Sequence, residues 1–173
     1  MKINPLLSVK DLSIAFKKKD TYRQVLQGVR FDVHKNEILG VVGESGSGKS
    51  ITALAVMQLL KNAKVEGEIV FKDVDLNTLQ TKKMEAIRGK NISMIFQEPM
   101  SALNPSMKCG EQVSEVLLQH ETISEAEADS EVIRLFERVK IPMPKQAFEK
   151  YPHELSGGQQ QRVMIAMAIA CKP

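Results

Sequence analysis

Gly43-Glu44-Ser45-Gly46-Ser47-Gly48-Lys49-Ser50 is the stretch on which the fold turns. Its spacing fits G-x-x-x-x-G-K-[ST], a loop that wraps phosphate groups in backbone N–H donors. A triphosphate needs many donors packed close around it, and main-chain amides are short and rigidly placed. Gly43, Gly46 and Gly48 lack the Cβ that would hold the backbone away from such a ligand. Lys49 supplies a point charge for the β- and γ-phosphates, and Ser50 a hydroxyl for Mg²⁺. Upstream, Glu37-Ile38-Leu39-Gly40-Val41-Val42 is a short apolar run of strand length. Downstream, Ile51, Leu54, Ala55, Met57, Gln58, Leu59 and Leu60 read as a buried helix that opens at Lys49. Strand, loop and helix together put the phosphates at a helix N-terminus, where partial positive charge collects. The residues expected against the nucleotide are the loop itself, 43–50, followed by Ile51 and Thr52.

A second motif follows about a hundred residues on: Leu155-Ser156-Gly157-Gly158-Gln159, leading into Gln160-Gln161-Arg162 and the largely apolar run 163–170. Ser156 is a good N-cap, and two glycines bare the amides of the first turn. Physically this is another helix start suited to an anion. Taken alone, it reads equally well as a capped core helix that carries glycines.

With both motifs present in this order, the sequence resembles the ATP-binding domain of ATP-binding-cassette (ABC) transporters over nearly its whole length. The resemblance implies an α/β fold: a P-loop NTPase core with a mixed sheet, an N-terminal antiparallel β subdomain and an inserted α-helical subdomain. Residues 1–98 would form the core with the antiparallel subdomain and the phosphate loop, and 99–152 the helical subdomain. Residues 153–173 would carry the signature and its helix, with the ABC domain incomplete at its C-terminal side. The resemblance further implies that Ser156, Gly157, Gly158 and Gln159 face the phosphate loop of a second ATP-binding subunit, identical or different, so that ATP is held between two protomers. Gln97, after the strand-like 92–96, matches the glutamine that contacts Mg²⁺ or the attacking water. Lys49 and Gln97 would carry the chemistry, and Ser50 and Gln97 would touch the metal. Phe16 takes the place of an aromatic that stacks on adenine, with Tyr22 as the rival.

Three segments narrow the branch. Residues 43–54, 96–105 (Phe96-Gln97-Glu98-Pro99-Met100-Ser101-Ala102-Leu103-Asn104-Pro105) and 151–162 resemble the oligopeptide, dipeptide and nickel importers. Cargo is read by other subunits in such systems, so peptide, nickel or another solute stays open here. The partners implied are transmembrane permease subunits and, indirectly, an extracellular solute-binding protein. The implied place is the cytoplasmic face of the membrane. Two positions depart from the pattern: Asn36, where the family has glycine in a turn, and Cys109, where it has an aliphatic residue. Asn tolerates a left-handed backbone, and a buried thiol packs much as an aliphatic group does.

The resemblance also implies an aspartate for Mg²⁺ and a glutamate for the attacking water after the signature helix; the 173 residues do not include them. The expectation is an N-terminal portion of a longer subunit whose isolated 173 residues hydrolyse ATP poorly. The alternative is a catalytically inactive nucleotide-binding module. His153, two residues before Leu155, reads as a polar residue ahead of a helix cap.

Composition fits these readings and removes others. With 43% hydrophobic and 26% charged residues, the chain can bury a core of one domain's size. Net charge +3 is too mild to argue for nucleic acid. ABC proteins that act on nucleic acid place a long coiled coil between the two motifs, and heptads are not sustained here. A small P-loop kinase would leave 155–159 unexplained. Cys109 and Cys171 form no metal or redox motif. Met1-Lys2-Ile3-Asn4-Pro5 has no leader pattern, and no run approaches the roughly 20 apolar residues of a membrane span. Alternation predicts strands over 7–16, 29–33 and 67–71, and amphipathic helices over 111–120 and 124–139, the second broken by Pro142 and Pro144. Met100, Leu103 and Met107 read as groove contacts or as core.

Overall fold

The computed structural model describes residues 4–173, apart from the side chains of Pro99 and Met100. Of the expected features, the leader-free start at Met1-Lys2-Ile3 and the Met100 side chain lie outside the described residues. The chain divides into two compact units, one through Met84 and one from Glu85 onward.

The first unit is a four-stranded antiparallel sheet with a helix. Strands β1 (Leu7–Lys18) and β2 (Thr21–Val33) form a long hairpin. Helix α1 (Lys49–Val56) follows, then β3 (Ala63–Phe71) and the short β4 (Val74–Asp75). Strand order is β2-β1-β3-β4. The alternation in 7–16 is imperfect for a physical reason. Between Lys10 and Ser13, β1 carries one residue more than β3, and Asp11 takes φ 51°. Such a bulge shifts the side-chain parity by one. Val9, Leu12 and Ile14 are therefore all buried, although odd and even positions are mixed. The site is pinned from both sides: Arg30 Nε donates to Asp11 Oδ1 at 2.7 Å. Opposite, Gly67 has φ +99°, and a Cβ there would lie 2.5 Å from the Lys10 carbonyl oxygen.

Helix α1 buries Ala55 and Val56, with Met57 buried at its C-cap. The side-chain amide of Gln58 donates to the Leu76 carbonyl oxygen. Asn36 adopts φ 63°, the left-handed backbone that asparagine accommodates.

Two expected strands are corrected. Residues 38–44 form no ladder, Ile38 and Val42 stand 98% and 97% exposed, and 93–96 likewise carry no strand, with Ile92 making one isolated bridge to Arg88. A strand persists only when a neighbour takes its N–H and C=O groups. Among the described residues neither segment has such a neighbour. The α/β class and the antiparallel sheet stand, but the ladders described are all antiparallel, so the expected mixing with parallel strands is absent from them.

The second unit is helical. Helix α2 (Thr81–Ile87) carries the chain from one unit to the next, and α3 (Pro99–Ala102) follows. Then come α4 (Cys109–His120), α5 (Glu125–Arg138), α6 (Pro144–Phe148) and α7 (Gly157–Ile169). Ser124 starts α5 with a capping box: its hydroxyl accepts from Glu127 N, and the Glu127 carboxylate accepts from Ser124 N. Pro144 opens α6 rather than merely ending α5, because its fixed φ suits a first helical position. Val113, Leu117, Val132, Phe136, Ile141 and Val163 belong to one apolar cluster that ties α4, α5 and α7 together. Leu103 and Cys109 are buried in it. Burial pushes the Cys109 thiol up to about 11, with the Glu154 charge adding to the effect, so it serves as an inert packing group. Among the described residues no helix is long and apolar enough to cross a membrane.

Candidate functional site

The phosphate loop belongs to the first unit and is built from its glycines. Gly48 is buried, caps α1 with φ 95°, and would bring a Cβ to 2.7 Å from Leu26 Cδ1. A left-handed backbone and a leucine at contact distance both require glycine here. Gly46 also takes positive φ, 83°. The chain then turns on itself: Ser47 N donates to the Glu44 carbonyl at 3.2 Å.

Lys49 fills the loop. Its Nζ donates to the carbonyls of Gly43 and Glu44, each at 2.7 Å, and to Ser47 Oγ at 3.3 Å. Three neutral acceptors hold a full positive charge at the centre of a ring of backbone. A phosphate oxygen is a stronger partner for an ammonium than a neutral carbonyl, so the arrangement is exchangeable. The amides of Lys49 and Ser50 open α1, where the helix itself offers no acceptors. Ser50 is exposed, and no acidic side chain stands in the first turn. These groups fit a polyphosphate. The Thr52 hydroxyl is bound to the Gly48 carbonyl at 2.9 Å, so it braces the loop from behind. Ile51 is half-buried beside it.

Phe16 and Tyr22 project from opposite faces of the hairpin. Phe16 pairs with Arg23 across the ladder and Tyr22 with Lys17, and neighbours along a strand alternate sides. Phe16 shares the face of Ile14, whose cross-strand partner is Leu26. Leu26 is the residue against which Gly48 closes. Phe16, half-buried, is therefore on the loop's side of the sheet, and Tyr22, 57% exposed, is on the other.

The second helix start and Gln97 lie in the second unit. Ser156 is the N-cap of α7: its Oγ accepts from Gln159 N at 3.4 Å, and Gln159 Oε1 accepts from Ser156 N at 2.9 Å. Gly157 and Gly158 are exposed, neither has positive φ, and a Cβ on either would meet nothing within 4 Å. Glycine at a helical position costs about 1 kcal/mol against alanine. Among the described residues, nothing in the packing requires that cost at either position. Gln97 sits exposed in a bend. The segment around it is fastened to α7 by Ser93 Oγ, which donates to the Ala168 carbonyl at 2.6 Å, and by α3, which packs against α7.

One residue escaped the reading of the sequence. Gln160 lies on the buried stripe of α7 with Val163 and Met164. A glutamine at an apolar position of a helical repeat was the available signal. Among the described residues no group of three or more His, Cys, Asp or Glu side chains stands close enough to hold a metal.

Comparison with known proteins agrees with the geometry. The ABC transporter family model matches residues 26–173. The oligopeptide transport ATP-binding protein OppD of Bacillus subtilis is 48% identical over 176 aligned residues, covering all of this chain and 49% of that protein. The dipeptide transport ATP-binding protein DppD of the same organism is 46% identical, covering 97% of this chain and 51% of its own length. The chain thus spans about half the length of these curated relatives. Among solved structures, a dimeric ATP-binding cassette in a post-hydrolysis state with ADP and Pi superposes with TM-score 0.85 at 27% identity, over 96% of this chain and 70% of that one. The family model covers most of the length, in a chain that carries both the phosphate loop and the glycine-led helix start: the chain belongs to the ABC transporter family.

Proposed function

We propose that this chain is the ATP-binding part of a peptide-importing ABC transporter, which binds MgATP, pairs with a second ATP-binding subunit and couples hydrolysis to transport. The observation that carries the reading is the open start of α7. A Cβ on either of its two glycines would meet nothing within 4 Å among the described residues, which is what a surface built to lie against another molecule's phosphate requires. The names of the relatives, oligopeptide and dipeptide transport proteins, support peptides as cargo. They also favour transport over an inactive binding module. The complete protein would sit at the cytoplasmic face of the membrane through its permease subunits.

In this reading the residues divide the work. Lys49 leaves the Gly43 and Glu44 carbonyls for the β- and γ-phosphates, and the first-turn amides of α1 bind the same oxygens. The Ser50 hydroxyl and Gln97 would hold Mg²⁺, whose chemistry there would be to offset negative charge on the phosphates. Gln97 orients the attacking water. The Ser156 hydroxyl and the Gly157 and Gly158 amides close over a triphosphate held by the second subunit's loop and exclude water there. The direct test is uptake. Vesicles carrying the intact subunit with its permeases take up labelled oligopeptide when MgATP is supplied on the subunit's side; uptake indifferent to ATP would overturn the reading.

Phe16 supplies the adenine platform. Stacking on an aromatic is worth about 1–3 kcal/mol per base. Phe16→Ala in the intact subunit should therefore raise KM for ATP by about 5- to 150-fold, while Tyr22→Ala leaves it unchanged. The reverse pattern would move the platform to the other face of the hairpin.

A further inference from the structure

We propose that Gln160 is a positioning residue for the second phosphate grip: its side-chain amide fixes the turn ahead of α7 and thereby aims Ser156 and the two glycine amides. The proposal rests on the nucleotide-sandwich reading above.

The first turn of α7 is soft by composition. Two successive glycines lose more backbone freedom on becoming helical than any other pair of residues. The Ser156–Gln159 capping box closes the turn, but Ser156 is exposed and Gln159 only half-buried. Gln160 is different. It is 5% exposed, and its Nε2 donates to the Pro152 carbonyl at 2.7 Å and to the Leu155 carbonyl at 3.2 Å. Its main-chain N–H donates to the Ser156 carbonyl at 2.9 Å. A single buried residue therefore grips the three-residue 3-10 turn Pro152–Glu154, the residue before the cap, and the cap itself.

The other end of the same amide argues that this grip, not packing, is its purpose. Gln160 Oε1 is buried and has no hydrogen-bond partner among the described residues. Turning the amide over would set that oxygen against two carbonyl oxygens, so the orientation is fixed by chemistry. A methionine of similar length would fill the same space and remove the orphaned acceptor. What methionine cannot supply is the two N–H bonds that hold the turn.

Donation, rather than shape, is therefore what the test must separate. In the intact subunit, Gln160→Met should lower kcat for ATP by about tenfold or more, leave KM within about twofold, and leave the melting temperature nearly unmoved. KM stays because the subunit's own loop binds ATP, and only closure over it is impaired. Gln160→Lys restores donors to the same carbonyls and should keep kcat close to that of the unaltered protein. Turnover unchanged in Gln160→Met, or equal loss in both variants, overturns the proposal. So does failure of both to fold, which would mark a purely structural residue. If only the methionine variant fails to fold, full turnover in Gln160→Lys supports the proposal and lost turnover overturns it. Ser156→Arg run in parallel separates the two levels: normal turnover there sinks the sandwich itself, whereas its loss beside a normal Gln160→Met sinks only the role of Gln160.

Discussion

Replacing Lys49 by alanine in the intact subunit lowers ATP turnover by at least about 100-fold and weakens nucleotide binding. Two separate losses add. The ammonium is the full positive charge placed inside the loop, and charge-assisted bonds to phosphate are roughly twice as strong as neutral ones. It is also what draws the Gly43 and Glu44 carbonyls and the Ser47 hydroxyl together before ligand arrives. Without it, three acceptors face the position where phosphate oxygens must sit. Calorimetric titration with ATP and a steady-state turnover assay check both parts. The fold is not at stake, because Lys49 is only half-buried and contributes nothing to the apolar cluster. A melting temperature that fell with activity would assign the loss to folding instead.

Replacing Ser156 by arginine gives the opposite signature. ATP binding stays within about twofold, because the binding loop is untouched, while turnover falls by about 100-fold or more. A long side chain at the N-cap stands over Gly157 and Gly158, where the surface is otherwise open. The cap itself is lost as well, at a cost of about 1 kcal/mol. Ser156→Ala shares that cost but adds no bulk, so it should lose much less turnover. Equal losses in the two variants would mean that cap geometry, and not access to the glycines, controls the reaction.

The parts legible in the sequence are those set by local chemistry. The loop 43–50 needs particular residue types at particular offsets, and the capping pairs Ser124–Glu127 and Ser156–Gln159 are four-residue patterns. Helices α4 and α5 show their buried faces as a repeat along one segment. What stayed hidden depends on distant chain. The bulge at Asp11 exists because Gly67 on another strand lets the Lys10 carbonyl approach. Without that bulge, the parity that buries Leu12 and Ile14 and places Phe16 on the loop's side cannot be assigned. The apolar runs 37–42 and 92–96 carry strand composition, but composition does not provide a hydrogen-bonding neighbour. Gln160 reads as one more polar residue until the turn 152–155 folds back onto it.

In the proposed cycle one triphosphate is held from two sides by two subunits. Turnover per subunit, measured against concentration for the intact protein released from its membrane partners, tests it most directly; a different second ATP-binding subunit, where there is one, is added in equal amount. Turnover per subunit is expected to climb with concentration while pairs are scarce and to level off when pairing is complete. A constant value from dilute to concentrated solution, carried by a species that sediments as a monomer, would contradict it.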